Sequence, residues 1–329
     1  MRNWLRKKEP AEAAPVVAPA TPAHHAEHVL RRLEWKVIRR LDGLLQGDYR
    51  TLLRGAGLDL ADLREYQLHD DVRHIDWNVT ARMQVPHVRV FMEDREMSAW
   101  FLVDLSPSVD FGSGELRKRN VSAEFVAVLA RMLTRHGNRV GAMLYGSGVE
   151  TAIPTRTGRR HVLHLLHRMQ DRPVAAASGP TRLGDLLAAA ANLIKRRSTV
   201  FVVPDFISEP GWERTLAQLA QRHEVVAVRV MDPLELELPD LGLLTLRDAE
   251  TGEQVVVDTH DAGFRKRFTR IAAQRESELR AALVRAGVDA LELSTDADLV
   301  DAIVRFVDMR KRRSQMAAGG LPPHLRRAA

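Results

Sequence analysis

The strongest constraint on the fold is an alternation, from residue 98 onward, between short apolar segments and segments of helical periodicity. The run Ser98–Val103 is almost entirely apolar, which is typical of a strand that is covered on both faces. Further strands are predicted near 139–145, 149–153, 199–203, 225–230 and 288–293. Helices are predicted between and after these strands, near 117–136, 159–170, 181–196, 212–221, 261–286 and 297–310.

Strands that alternate with helices in this way predict an α/β fold, built on a doubly wound, mostly parallel sheet with helices on both faces. Residues 234–258 depart from the alternation: they are β-rich, with a turn at Thr251-Gly252, and predict a small β-structured excursion. Ahead of the α/β region, apolar residues recur at helical spacing over 28–45. This spacing predicts an amphipathic helix whose apolar stripe docks on the rest of the protein.

These patterns divide the chain into four parts. Residues 1–27 are rich in Pro and Ala, and we expect a disordered leader there. Residues 28–95 hold the amphipathic helix and a polar segment, and residues 96–310 form the α/β domain. Residues 311–329 are expected to be a basic, disordered tail.

Composition excludes several classes of protein. The chain has no Cys, which rules out a disulfide framework and a thiolate metal site. No run approaches the ~18 apolar residues that span a bilayer, and no apolar segment follows the basic first residues as in a signal peptide. We therefore expect a cytoplasmic protein without a transmembrane segment. Because only 5% of the residues are aromatic and the net charge of +6 comes from the chain ends, we expect no specific nucleic-acid partner.

Two of the predicted strands are followed by a carboxylate at their carboxyl ends. Asp104 comes directly after the strand that begins at Ser98, and Asp205 comes shortly after the strand near 199–203. Ligands of parallel sheets bind outside the carboxyl ends of the strands. The loop after Asp104 adds two hydroxyls at alternate positions, Ser106 and Ser108, so we expect these four side chains to lie at one edge of the sheet.

A third hydroxyl is expected at the same edge. Thr181 opens the helix that leads to the strand near 199–203, although Thr155 and Thr157 are alternatives. Two carboxylates and three hydroxyls, without His or Cys, are ligands that suit Mg²⁺ or Mn²⁺. Hydroxyls are neutral ligands, so the ion keeps positive charge and an open position that suits a carboxylate from a partner protein. The predicted metal ligands are Asp104, Ser106, Ser108, Thr181 and Asp205.

Two alternatives compete with this interpretation. Ser, Thr and Asp are preferred helix caps, so Thr181 and Asp205 could each cap the helix that follows. A metal-dependent phosphoester hydrolase could use the same oxygens, but such chemistry usually needs more carboxylates or His around the ion; Asp110 and Glu209 are the evident extras. No Gly-Lys pair exists, which excludes a P-loop. We therefore expect a binding protein with no catalytic residues and no organic cofactor.

Two motifs resemble known families. Asp104-x-Ser106-x-Ser108, with Thr181 and Asp205, resembles the metal-ion-dependent adhesion site (MIDAS) of von Willebrand factor A domains. The upstream region is similar to the signature of the domain of unknown function 58 (DUF58) family, although His69 stands where that family usually has Gly. This second similarity is carried by Gly47-Asp48-Tyr49, Leu63-Arg64-Glu65-Tyr66, Asp70-Asp71-Val72-Arg73-His74-Ile75-Asp76-Trp77 and Ala81-Arg82.

The resemblance covers roughly residues 45–230 and implies a von Willebrand A-like fold. It also implies a partnership with a MoxR-type AAA+ ATPase that assists the maturation or assembly of client proteins. Within the signature, charges of alternating sign suit an ion-pair network, and we expect Tyr66 and Trp77 to anchor the segment by packing. The segment either braces the amphipathic helix against the sheet or binds a partner.

Overall fold

The computed structural model describes residues 22–45, 62–67, 72, 75–90, 97–171 and 179–317. Its strands are β1 (Asp62–Glu65), β2 (His87–Val90), β3 (Ser98–Asp104), β4 (Arg139–Tyr145), β5 (Val149–Arg156), β6 (Thr199–Val203), β7 (Glu224–Met231), β8 (Leu243–Arg247), β9 (Gln254–Asp258) and β10 (Asp289–Ser294). Its α-helices are α1 (Pro22–Leu33), α2 (Arg39–Leu45), α3 (Trp77–Met83), α4 (Lys118–Arg135), α5 (Arg159–Gln170), α6 (Leu183–Leu193), α7 (Trp212–Arg222), α8 (Ala262–Ala286) and α9 (Leu299–Ala317).

The central element is a six-stranded sheet in the order β10-β7-β6-β3-β4-β5. All neighbouring strands are parallel except β5, which is antiparallel to β4. The short turn 146–148 between β4 and β5 allows only this antiparallel return, because a parallel connection needs a long crossover. The expectation of an α/β fold with a mostly parallel sheet is confirmed.

Helices cover both faces of the sheet, and each face has its own apolar core. Side chains alternate along β3, so that Phe101 and Val103 join one core while Trp100 and Leu102 join the other. The first core is completed by α1, α2, α4, α5 and α9, and the second by α6, α7 and α8. This double cover explains why the sequence of β3 is apolar throughout.

The N-terminal helix docks on the first core, as its apolar spacing predicts. Leu30, Leu33, Ile38 and Leu41 are fully buried there, and the π-helical turn Glu34–Ile38 connects α1 to α2. The helix begins at Pro22 rather than at residue 28, so the predicted leader extended too far into the chain. Proline is well suited to the first position of a helix, which is why a Pro/Ala-rich segment could conceal the helix start.

The C-terminal helix also runs past its predicted end. Helix α9 continues to Ala317, so residues 311–317 are helical rather than part of a disordered tail. Arg313, in the expected tail, is ion-paired with Asp289, and Arg310, at the end of the predicted domain, contacts Glu224 and Asp289. Arg and Lys are good helix formers, and these pairs explain why a basic run continues the helix.

The signature region forms a small unit beside the sheet. Strands β1 and β2 pair antiparallel, and Asp76 caps α3 by accepting hydrogen bonds from the backbone N–H groups of Asn78 and Val79 at 3.0 and 3.2 Å. The expected packing role of Trp77 is wrong, since this side chain is 69% exposed at the first turn of α3. Gly47-Asp48-Tyr49 and most of the motif at 70–74 lie outside the described residues.

The predicted β-rich excursion is a hairpin. Strands β8 and β9 pair only with each other in the described sheets. The hairpin base is held by the Thr259 hydroxyl, which accepts a hydrogen bond from Leu241 N at 2.9 Å and donates one to Gly242 O at 2.7 Å. The connecting turn spans 248–253 at the other end of the hairpin.

Candidate metal centre

The loop after β3 concentrates buried oxygens at the carboxyl end of the sheet. Asp104, Ser106 and Ser108 are 1%, 2% and 8% exposed. One oxygen of Asp104, Oδ1, accepts a hydrogen bond from Ser106 N at 2.8 Å. Pro107 starts a short 3₁₀ turn (Pro107–Asp110), which places the hydroxyls of Ser106 and Ser108 3.0 Å apart. The alternate spacing of the motif therefore brings its three side chains together, as predicted.

The second carboxylate oxygen of Asp104 is the least satisfied atom of this loop. Oδ2 is buried and has no hydrogen-bond partner. The pKa of Asp104 is raised to about 7, first by burial and then by the charges of Asp205 and Glu250, against the opposing effect of the Ser106 hydrogen bonds. A buried carboxylate oxygen without a partner is costly. A cation beside Oδ2 would remove that cost and favour the ionised form.

Asp205 lies beside Asp104 at the same edge. Val103 and Val203 are paired neighbours on β3 and β6, so the carboxylates that follow them emerge side by side. The oxygens of Asp205 are both engaged: Oδ1 accepts from Ile207 N at 2.9 Å, and Oδ2 accepts from Lys118 Nζ at 2.8 Å. Asp205 is therefore better suited to hold a cation through a water molecule than to bind it directly.

The backbone next to Asp205 is strained. Phe206 has a φ of 61°, a left-handed conformation that a bulky residue rarely adopts. Its ring packs on that of Trp212, with 5.2 Å between the centroids, and this packing holds the turn. Strained backbone of this kind persists where the surroundings fix it, and it clusters at functional sites.

Lys118 is a fixed cation beneath the site that the sequence did not indicate. Its side chain is fully buried, and Nζ donates to Glu235 Oε1 at 2.5 Å as well as to Asp205. Burial acts to lower the pKa of Lys118, but the carboxylates of Asp205 and Glu235 outweigh burial and raise the pKa. Lys118 is therefore an ammonium ion that neutralises Asp205. It belongs to the basic run 117–119 in the first turn of α4, which reads as solvent-exposed, so no signal in the sequence marked it.

Thr181 lies at the same edge, in the loop before α6. It is 4% exposed, and its carbonyl accepts a hydrogen bond at 2.9 Å from the backbone N–H of Glu209, in the loop that follows Asp205. The capping alternative for Thr181 is wrong, because the N-cap of α6 is Arg182 and the hydroxyl of Ser208 receives the N–H of Leu183. Asp205 does not cap α7 either, whose N-cap is Gly211.

Glu250 is the second residue of the site that sequence reasoning missed. It reaches Thr181 from the turn between β8 and β9: Oε1 accepts from the Thr181 hydroxyl at 2.5 Å, and Oε2 accepts from Thr181 N at 2.8 Å. Its charge also contributes to the raised pKa of Asp104. An acidic residue in a hairpin turn resembles any solvated surface residue, so its place in the site depends on the tertiary fold.

The alternative hydroxyls are at the opposite end of the sheet. Arg156, which lies between Thr155 and Thr157, is paired with Val140 at the start of β4. Asp104 is instead paired with Tyr145 at the end of β4. Since β4 spans the full height of the sheet, Thr155 and Thr157 do not reach Asp104, and Thr181 remains as the third hydroxyl.

The two extra carboxylates considered for hydrolysis are each paired with an arginine. Arg117 contacts Asp110 at 2.8 Å, and Arg182 contacts Glu209 at 3.1 Å. In the part of the chain that the structure describes, no three His, Cys, Asp or Glu side chains form a group that could hold a metal ion. A cation at this edge would therefore depend on the hydroxyls of Ser106, Ser108 and Thr181 as much as on carboxylates.

The position of the site in the sheet favours ligand binding. From β3 the chain moves outward through β4 to β5, and it then returns to β6 on the other side of β3. Asp104 and Asp205 follow the two strands between which the direction of winding reverses. In open α/β sheets, ligands bind in the crevice at this point.

A second buried carboxylate, at the ends of β7 and β10, has a different environment. Asp232 is fully buried and accepts hydrogen bonds from Ser113 N at 2.8 Å, Leu234 N at 3.0 Å and the Thr295 hydroxyl at 2.7 Å. Burial acts to raise the pKa of Asp232, but these hydrogen bonds outweigh burial and lower the pKa. This carboxylate ties the ends of two strands to the loop before α4.

Comparison with known proteins places the chain among sequences without an assigned role. Residues 62–278 match the family described as "Protein of unknown function DUF58". The uncharacterized protein Rv1480 of Mycobacterium tuberculosis is 39% identical over 284 residues, which are 86% of this chain and 89% of that protein. The uncharacterized protein MAV169 of Mycobacterium avium is 36% identical over 162 residues, 49% of this chain and 95% of that protein.

Solved structures show only a distant similarity. BatB from Bacteroides thetaiotaomicron is 13% identical with a TM-score of 0.41, covering 66% of this chain and 99% of that one. An aerotolerance-related membrane protein from Bacteroides fragilis is 11% identical with a TM-score of 0.40, over the same shares of the two chains. Scores of this size do not establish a common fold. Among the described residues of the present chain, no helix combines the length and the apolar character that crossing a bilayer requires.

Proposed function

The chain belongs to the DUF58 family of proteins of unknown function, and we propose that it is a non-enzymatic protein-binding module with a Mg²⁺-dependent adhesion site. Mn²⁺ would suit the same oxygens. The site grips an acidic residue of a partner protein. The residues that would hold the cation are Asp104, Ser106, Ser108, Thr181 and Asp205.

The observation that carries this proposal is the second carboxylate oxygen of Asp104. It is buried and without a hydrogen-bond partner, although the other oxygen of the same carboxylate is satisfied. Native proteins rarely bury such an atom without a reason. The hydroxyls of Ser106 and Ser108 lie in the same loop at 3.0 Å from each other, and hard oxygen donors of this kind are preferred by Mg²⁺.

A bound cation would allow this site to accept an acidic group. Lys118 is paired with Asp205 and Glu235, and the hydroxyls of Ser106, Ser108 and Thr181 bring no charge. Bound Mg²⁺ would add two positive charges beside Asp104 and an open coordination position for a partner's carboxylate. Hydrolysis, in contrast, has no specific support, because Asp110 and Glu209 are held by Arg117 and Arg182.

The finer classification of the fold is part of the same proposal. We infer a von Willebrand A-like domain from the Asp104-x-Ser106-x-Ser108 triplet, supported by the strand order with a single antiparallel edge strand. The resemblance that suggests this domain also suggests the partner, a MoxR-type AAA+ ATPase. The joint role would be the maturation or assembly of client proteins.

The proposal is tested by quantitative capture of a purified MoxR-type ATPase from the same organism. Wild type, Asp104→Ala and Asp308→Ala are immobilised, each with Mg²⁺ or with EDTA. Asp308 is an exposed carboxylate on α9 and serves as a matched control. We expect wild type and Asp308→Ala to retain the ATPase only with Mg²⁺, and Asp104→Ala to lose it in both conditions. Capture that is indifferent to EDTA and to Asp104→Ala contradicts the proposal.

A further inference from the structure

The hairpin β8–β9 brings an acidic residue of the chain itself to the proposed cation site. Its turn is shaped by Asp248, whose Oδ1 accepts hydrogen bonds from the backbone N–H groups of Glu250 and Thr251 at 2.8 and 3.0 Å. This turn fixes the backbone of Glu250 at the tip. The side chain of Glu250 is only partly buried, yet it contacts a residue 69 positions away in the chain.

The contacts of Glu250 are concentrated on the loop that carries Thr181. Both carboxylate oxygens are used by Thr181, one by its hydroxyl and one by its backbone N–H. The backbone carbonyl of Glu250 accepts a further hydrogen bond from Gly179 N at 3.4 Å. This is the geometry of a specific tertiary contact and not of a solvated surface residue.

The position of Glu250 matters because Thr181 is one of the proposed cation ligands. A hydroxyl that donates its proton to a carboxylate still has lone pairs for a cation, so both contacts can exist together. The charge of Glu250 also raises the pKa of Asp104, which is another proposed ligand. Glu250 is therefore held against one proposed ligand and is close enough to act on a second.

The hairpin is attached in a way that suits movement. Its strands pair only with each other in the described sheets. Its base is held by the hydrogen bonds of the Thr259 hydroxyl, next to Gly242, which has a φ of +81°. Many of its apolar side chains are exposed: Leu243 by 73%, Val255 by 59% and Val256 by 68%. The hairpin could thus move about its base without opening either core of the domain.

We propose that Glu250 is an internal acidic occupant of the cation site, and that the hairpin β8–β9 is a gate that a partner's carboxylate must displace. This inference rests on the proposed function, since it concerns the same site. A tethered carboxylate competes at a high effective concentration. The apparent affinity for an external carboxylate is then the intrinsic affinity multiplied by the fraction of molecules in which the site is open.

The gate is tested with Mn²⁺ as the metal and acetate as the carboxylate probe. Water-proton relaxation of protein-bound Mn²⁺ is measured as acetate is added to wild type, Glu250→Ala and Glu253→Ala. Glu253 is an exposed acidic residue of the same turn and serves as the matched control. We expect the acetate concentration of half effect to fall by roughly tenfold in Glu250→Ala, because the internal competitor is gone. Glu253→Ala should behave as wild type.

Three other outcomes would each contradict the gate. If wild type and Glu250→Ala bind Mn²⁺ and respond to the same acetate concentration, the gate is wrong while the cation site stands. If Glu250→Ala loses Mn²⁺ binding altogether, Glu250 is a required ligand and the gate is wrong. If wild type itself binds no Mn²⁺, both the gate and the proposed function are overturned.

Discussion

Two buried carboxylates at the same edge of the sheet, Asp104 at the end of β3 and Asp232 directly after β7, have opposite environments. Asp232 accepts three hydrogen bonds, and its pKa is lowered. Asp104 has one oxygen without a partner, and its pKa is raised to about 7, first by burial. The two carboxylates are therefore about equally buried but differ in their hydrogen bonds and in the direction of their pKa shifts. Asp232 has the environment of a structural residue, whereas the unpaired oxygen of Asp104 is what supports the proposed cation site.

The largest expected effect on the free energy of unfolding comes from removing the Asp232 carboxylate. Asp232→Ala removes the acceptor of three donors, those of Ser113, Leu234 and Thr295, of which the Thr295 hydroxyl belongs to a buried residue. We expect the free energy of unfolding to fall by about 3 kcal/mol, because three hydrogen bonds are lost and the buried hydroxyl is left unpaired. Urea denaturation followed by circular dichroism measures the change.

Asp104→Asn in metal-free buffer is the matched control for that measurement. Asn keeps an oxygen that can accept the hydrogen bond from Ser106 N, and the loss of the charge removes repulsion from Asp205 and Glu250. We therefore expect the free energy of unfolding to change by less than about 1 kcal/mol. Equal losses in the two variants would abolish the distinction between the carboxylates.

A smaller effect is expected in the pH dependence of metal-free stability. The folded pKa of Asp104 is about 7, above the ordinary value of 3.8. The folded state therefore holds a proton that the unfolded state releases, and this contribution to stability is lost as the pH rises from about 4 to about 7. Asp232 has the opposite sign: its lowered pKa gives stability that is lost as the pH falls below the ordinary range for Asp.

The contribution of Asp104 to the pH dependence of stability is isolated by comparing wild type with Asp104→Asn. The midpoint of urea denaturation is measured from pH 5 to pH 8 in EDTA. We expect wild type to lose stability relative to Asp104→Asn as the pH rises through 7. Parallel curves for the two proteins would mean that Asp104 is ionised throughout, and the contrast with Asp232 would then fail.

The sequence was sufficient to predict which side chains share an edge where local patterns decide the structure. Asp104 and Asp205 follow short apolar runs that are typical of buried strands, and the rule that parallel strands end at one edge places them together. Thr181 followed from the same rule, although choosing it over Thr155 and Thr157 required the observed register of β4 and β5.

The parts that could not be predicted depend on contacts between distant positions. Lys118 lies 87 residues from Asp205, and Glu250 lies 69 residues from Thr181. Both residue types are normally exposed, and no periodicity marks either one as buried or engaged. The same holds for the chain ends, where Ala26 is buried and Arg313 is ion-paired with Asp289 in helical residues beyond the predicted limits.

The central claim is that Asp104 awaits a divalent cation, and the most direct test is calorimetric titration of metal-free protein with Mn²⁺. Wild type, Asp104→Asn and the control Asp308→Asn are compared at pH 8, where the Asp104 carboxyl is ionised. We expect one bound ion per chain for wild type and for Asp308→Asn, and an affinity at least about tenfold weaker for Asp104→Asn. Absence of binding to wild type, or equal binding to Asp104→Asn, would mean that Asp104 does not hold a cation.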